Sequence, residues 1–118
     1  YPYLLIGQAS LDDLNARLPQ PVEMLRFRPN IVVSGSAPYE EDSWTEFNVG
    51  DMAFYGVKPC ARCVLTTVDP ATGKKGTEPL KTLTTYRRQG HRILFGQNVL
   101  PAPNTSGTLR VGQEITLC

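Results

Sequence analysis

Trp44-Thr45-Glu46-Phe47-Asn48-Val49-Gly50-Asp51-Met52-Ala53-Phe54-Tyr55-Gly56-Val57 reads as a β-hairpin. Trp44 to Val49 and Met52 to Val57 are two strand-like runs, and Gly50-Asp51 between them supplies the turn. Outward from this hairpin the chain predicts more strands. Tyr3 to Ile6 is a short apolar strand, Asn30-Ile31-Val32-Val33-Ser34-Gly35 a buried one, and Arg62 to Val68 a further one. Val99-Leu100 and two strands around Val111-Gly112-Gln113 finish the chain. Two short helices interrupt the pattern. Ser10 is placed to cap the first, in which Leu11, Leu14 and Leu18 recur at helical spacing, with Asp13 in the acidic position of a capping arrangement. Pro19 and Pro21 stop it. Pro79 suits the first turn of the second, which runs through Leu80, Leu83 and Tyr86 to Arg87-Arg88 before Gly90. The expected fold is mainly β: one barrel-like domain over residues 1–118 with two peripheral helices.

A chain of 118 residues is long enough to bury one core without disulfide staples. A formal net charge of +1 with dispersed basic residues argues against nucleic acid as a partner. No apolar run approaches the roughly 20 residues of a membrane span, and Tyr1-Pro2-Tyr3-Leu4-Leu5-Ile6 lacks the basic leader of a signal peptide. Three cysteines without dense spacing fit a reducing, cytoplasmic setting. A start on Tyr1 rather than Met is expected of a piece of a longer protein. Asp69-Pro70-Ala71-Thr72-Gly73-Lys74-Lys75-Gly76 is an exposed loop by composition and does not match a phosphate-binding GxxxxGK[ST] loop.

Chemistry concentrates in Lys58-Pro59-Cys60-Ala61-Arg62-Cys63-Val64-Leu65-Thr66-Thr67-Val68-Asp69. A guanidinium beside a thiol favours the thiolate that binds soft metals. On a strand, however, Arg62 points away from Cys63, while Cys63, Leu65 and Thr67 share one face and Val64, Thr66 and Val68 the other. A buried or disulfide-bonded pair remains an alternative. A thioredoxin-like pair would sit where a strand meets a helix, whereas here the motif runs into β-branched residues. Structural zinc would consume Cys60, Cys63, Cys118 and His91 together. Phe27-Arg28-Pro29-Asn30 is the second constellation. Pro29 pushes Arg28 towards an extended conformation, which would hold its guanidinium and the Asn30 amide at a strand entrance. Such a pair suits an anion or a pterin-like heterocycle. The alternative is Arg28 paired to Glu40, Glu41 or Asp42, with Asn30 satisfying a turn.

Ser10-Leu11-Asp12-Asp13-Leu14-Asn15, Phe27-Arg28-Pro29-Asn30, Glu41-Asp42-Ser43-Trp44, Cys60-Ala61-Arg62-Cys63 with Thr66-Thr67-Val68-Asp69-Pro70, and Phe95-Gly96-Gln97-Asn98 follow one another in an order and with gaps that resemble the MOSC family, the molybdenum cofactor sulfurase C-terminal domains. The resemblance covers nearly the whole chain and is closest to the YcbX-like and mitochondrial amidoxime-reducing branch. It implies a β-barrel that holds a molybdopterin-type molybdenum cofactor. By matched motif, Cys63 is then the catalytic residue and metal ligand, Arg28 binds the pterin part, and Asn30, Arg62, Thr66 and Thr67 lie at or near the pocket. It also implies N-hydroxylated small-molecule substrates and electrons from an iron–sulfur domain or another redox protein. Three cysteines cannot supply the four ligands of such a cluster within this chain. Family members also have an N-terminal half that carries basic residues to the cofactor phosphate, and it is expected to lie outside this chain, leaving the chain alone inactive. A second class is sulfur carriage, in which Cys63 holds a persulfide that Cys60 resolves; some relatives are fused to a desulfurase, whose pyridoxal phosphate would belong to that other domain. The third is a noncatalytic interaction module.

Overall fold

The computed structural model describes residues 3–103 and 107–117. The predicted hairpin forms from β3 (Glu46–Val49) and β4 (Met52–Ala61), with Phe47 opposite Phe54 and Val49 opposite Met52. Gly50 takes a positive φ of 57° at the turn, a conformation that a residue without a Cβ adopts freely. Alternation sends Phe47, Val49 and Phe54 to one face, where they pack with Leu5, Val33, Trp44 and Val99.

β4 continues well beyond the hairpin and pairs antiparallel with β6 (Arg92–Pro101). β6 pairs in turn with β1 (Tyr3–Gly7), and β1 runs parallel to the edge strand β2 (Ile31–Val33). On the other side of the hairpin, β7 (Ile115–Leu117) joins β3, while the two-residue β5 (Arg88–Gln89) folds onto the start of β6. The resulting order is β2-β1-β6-β4-β3-β7, a sheet curled into a nearly closed barrel, and the expected mainly β fold is the one observed. A second apolar layer covers the opposite face, where helix α1 (Gln8–Arg17) contributes Leu11 and Leu14, the residue after it Leu18, and helix α2 (Leu80–Tyr86) Leu83. Phe27 and Phe95 pack within this layer with ring centroids 4.4 Å apart and ring planes tilted by 37°. Each such fully buried aromatic or aliphatic side chain contributes about 1.5–3 kcal/mol of burial.

Several local expectations are corrected. Arg62 to Val68 is not a strand: β4 ends at Ala61 and the chain tightens into a 3-10 turn over Val64–Thr67. The cause is side-chain competition for the backbone, because Thr66 Oγ1 donates to the Cys63 carbonyl at 2.9 Å and Thr67 Oγ1 to that of Val64 at 2.6 Å. Ser10 does not cap α1, which begins earlier with Gly7 as its N-cap. The Ser10 hydroxyl instead donates to buried Glu41 at 2.7 Å, and the Gly7 N–H donates to the same carboxyl oxygen at 2.8 Å. Asp13 closes no cap; it accepts from Arg17 and from the Tyr39 hydroxyl. Burial works against ionisation of Asp13, but these two hydrogen bonds and the Arg17 charge outweigh it and hold the carboxyl below its ordinary value. Burial pushes Tyr39 well above the ordinary phenol range, helped by its hydrogen bonds to Tyr86 and Asp13. Gly90 (φ 62°) turns the β5–β6 hairpin rather than ending α2, and among the described residues one strand, not two, lies near Val111-Gly112-Gln113. Cys118 lies outside the described residues.

Candidate functional site

Two 3-10 turns build the site. The first, Met24–Phe27, is anchored by Phe27, which is buried in the helical layer. The second is the Val64–Thr67 turn that follows β4, and the two lie against one another. Between them opens a cavity of about 240 Å³ whose wall includes Arg28, Arg62, Cys63 and Thr66, four of the six residues singled out from sequence. Arg26, Phe27, Ala61 and Leu65 complete it. Cys63 is exposed and is the N-cap residue of the second turn.

Arg62 is held rigidly. Its Nη2 donates to the Phe27 carbonyl at 2.8 Å, and its guanidinium carbon lies 5.5 Å from the Phe27 ring centroid. Its Nη1 donates to the sulfur of Cys60 at 3.3 Å, so the cation between the two cysteines engages Cys60. Its Nε is buried and has no partner among the described residues. Cys60 is half-buried, free of any disulfide, and does not line the cavity.

Arg28 is not extended as expected. It sits in the left-handed region at φ 53°, ψ 50°, because it closes the Met24–Phe27 turn with a hydrogen bond from its N–H to the Leu25 carbonyl at 3.1 Å. That conformation costs a non-glycine residue about 1–2 kcal/mol. The acids considered as its partners are taken elsewhere. Asp42 pairs with Arg87 at 2.6 Å, Glu41 holds Gly7 and Ser10, and Glu40 accepts from the Trp44 indole at 3.1 Å. Among the described residues Arg28 has no ion pair, and it is exposed at the cavity mouth.

Asn30 lies apart from this wall. Its side-chain oxygen accepts from the Leu4 N–H at 2.8 Å and its own N–H donates to the Leu4 carbonyl at 2.9 Å, which seats the entry to β2. Thr67 lines a neighbouring cavity instead. Arg26, which the sequence reading passed over, lines both, with a long contact of 3.5 Å from its Nη1 to the Thr66 carbonyl. Its signal was the Arg26-Phe27-Arg28 spacing around an apolar anchor.

The wall therefore offers one accessible soft sulfur donor, a guanidinium with a buried unsatisfied N–H, and a second guanidinium with no internal partner. That donor set fits an anionic ligand that carries a soft metal. No group of three or more His, Cys, Asp or Glu side chains that could hold a metal occurs among the described residues, so such a metal would need ligands from a cofactor. No described helix is long and apolar enough to cross a membrane.

The chain is similar in sequence to several known proteins. Mitochondrial amidoxime-reducing component 1 of Homo sapiens is 47% identical to this chain over 98% of its length, and the aligned part is 36% of that protein. Mitochondrial amidoxime reducing component 2 of Rattus norvegicus is 56% identical over 97% of the chain and 36% of the relative. Molybdenum cofactor sulfurase of Oryza sativa subsp. japonica is 37% identical over 95% of the chain and 16% of the relative. The chain thus spans about a third, or less, of the relatives it matches. The MOSC domain family profile matches residues 1–116, and the chain belongs to the MOSC domain family.

Proposed function

We propose that this chain is the molybdenum-cofactor-binding part of an oxidoreductase that reduces N-hydroxylated small molecules, with the Cys63 thiolate as the metal ligand. The observation that carries this reading is an exposed thiol on a cavity wall shared with Arg28, a guanidinium that no acid of the described chain takes. Two relatives named as amidoxime-reducing components support the substrate class.

In this reading Arg62 and Arg28, both on the cavity wall, hold the anionic side of the cofactor. Thr66 spends its hydroxyl proton on the Cys63 carbonyl, which leaves lone pairs to accept from the pterin. Thr67 and Asn30 act at one remove, Thr67 by shaping the turn and Asn30 by fixing the strand entrance next to Arg28. Phe27 and Leu65 supply apolar wall that limits water near the sulfur. When bound, the cofactor supplies a two-electron couple, and the N–OH oxygen leaves as water with two electrons and two protons consumed. The electrons come from an iron–sulfur domain or another redox protein. The test is metal content and amidoxime reduction in the full-length protein that carries this chain, loaded with cofactor. Cys63→Ser is expected to lose both, because a hydroxyl is a harder and far less acidic ligand, and Cys60→Ser to keep most of each. Equal loss in both variants, with the fold intact, would point to a paired-cysteine site instead.

The likeness to a protein named molybdenum cofactor sulfurase favours a second reading, sulfur carriage on Cys63. Sulfane sulfur bound in proportion to protein, without molybdenum, would select it; pyridoxal phosphate would enter only through another domain.

A further inference from the structure

Beside the Cys63 cavity lies a larger one of about 500 Å³, and Arg26 and the Val64–Thr67 turn connect the two. Its wall carries three cations, Arg26, Lys74 and Lys75, and two acids, Asp69 and Glu78. Both acids are engaged locally. Asp69 Oδ1 accepts from the Ala71 N–H at 2.8 Å, and Glu78 accepts from the Thr82 N–H at 2.8 Å and the Thr82 hydroxyl at 2.7 Å. The ion pairs among the described residues are Arg17–Asp13 and Arg87–Asp42, so none of the three cations is neutralised by one. The loop that carries the lysines is shaped by its own backbone. The Asp69 N–H donates to the Lys74 carbonyl at 2.8 Å, the Gly73 N–H to the Asp69 carbonyl at 2.7 Å, and the Gly76 N–H to the Thr67 carbonyl at 3.1 Å. Lys75 also bridges to Val68. Two ammonium groups are thus presented on a closed turn directly after the one that carries Cys63.

We propose that this second cavity is a subsite for a phosphate carried by the substrate, so that the protein selects the phosphorylated form of an N-hydroxylated compound over the neutral form. This rests on the reduction proposed above. Arg26 lines both cavities, so a substrate with its N–OH group at the Cys63 wall has a cationic station for a substituent further along. The lysines act as mobile point charges suited to a phosphate of variable reach.

The experiment compares N-hydroxycytidine with its monophosphate in two arms. In the binding arm, amide shifts of the isotope-labelled protein, with and without cofactor, are expected to move at Lys74, Lys75 and Gly76 with the monophosphate and with inorganic phosphate, but not with the nucleoside. In the kinetic arm, run on the full-length protein that carries this chain, loaded with cofactor and supplied with electrons, KM for the monophosphate is expected to be roughly tenfold lower, the scale of one charge-assisted contact. The Lys74→Gln/Lys75→Gln double variant is expected to erase that ratio through KM, with kcat unchanged. Equal KM for both compounds, or a ratio that survives the double variant, overturns the proposal. So does phosphate binding at the lysines that disappears once the cofactor is loaded, because the site would then belong to the cofactor's own phosphate. Absence of turnover with either compound would refute the reductase reading alone; monophosphate-selective shifts lost in the double variant would still support the subsite, and their absence would sink it.

Discussion

Glu41 is 0% exposed and ties three parts of the fold together, so its replacement gives a sharp test of the packing argument. One carboxyl oxygen accepts from the Gly7 N–H at the end of β1 and from the Ser10 hydroxyl inside α1, while Glu41 itself belongs to the 3-10 turn Glu40–Ser43. Ser10 Oγ then accepts from the Tyr39 N–H at 2.8 Å, which extends the network to the residue before that turn. Glu41→Ala strands a buried N–H and a buried O–H, at about 1–3 kcal/mol each, and leaves a void, for an expected loss of about 3–5 kcal/mol. Glu41→Gln keeps an acceptor in place and converts the unpartnered Oε1 into a donor. The amide keeps the acceptor for the Gly7 and Ser10 donors and nearly all of the side-chain volume, so the expected cost is about 1 kcal/mol, well below that of alanine. Urea unfolding followed by fluorescence of Trp44, the sole tryptophan, reads both variants. A domain of this size loses about 4 °C of Tm per kcal/mol, so Glu41→Ala should melt about 12–20 °C lower. If the glutamine variant is as damaged as the alanine variant, or the alanine variant loses less than about 1 kcal/mol, the network does not have the role assigned to it.

Gly56→Ala should be severe, since its Cβ would stand 1.8 Å from the Trp44 carbonyl oxygen, a backbone atom; a loss above about 3 kcal/mol in urea unfolding is expected, and near-native stability would show that β4 yields easily there. Asp13 has a depressed pKa in the fold, so its contribution is present above the unfolded value, near 3.8, and is lost as pH falls through the folded one. The stability gap between the native protein and Asp13→Asn should therefore be full at neutral pH and close in acid; a gap constant with pH would contradict the Tyr39 and Arg17 contacts.

The hairpin was legible because Phe47, Val49 and Phe54 alternate and Gly50 stands at the turn, so local pattern and tertiary burial agree. Leu11, Leu14 and Leu18 marked α1 for the same reason. Arg62 to Val68 misled because Val64, Thr66, Thr67 and Val68 have strand composition, while the deciding hydrogen bonds from two threonine hydroxyls act over three residues and leave no periodicity. Gly90 misled because a helix end and a tight hairpin both use a positive φ. At the candidate site, residue identity pointed to Cys63, Arg28, Arg62 and Thr66, which line one cavity. Asn30 was invisible as a backbone tie because its partner, Leu4, is remote in sequence. Arg26 stands two residues before Arg28 in the sequence, but only the 3-10 geometry of Met24–Phe27 shows that it lines both cavities.

The two guanidiniums of the Cys63 cavity differ in how much freedom they have left. Arg62 is clamped by the Phe27 carbonyl and lies against its ring, so most of its rotamer entropy is already lost on folding. Arg28 is fixed at the backbone but unrestrained along its side chain, and seating an anion there costs up to about 2 kcal/mol of rotamer entropy. An anion that engages both therefore meets one rigid contact that sets orientation and one adaptable contact that tolerates variation in shape. Association should carry its entropic cost, and its temperature sensitivity, mainly at Arg28.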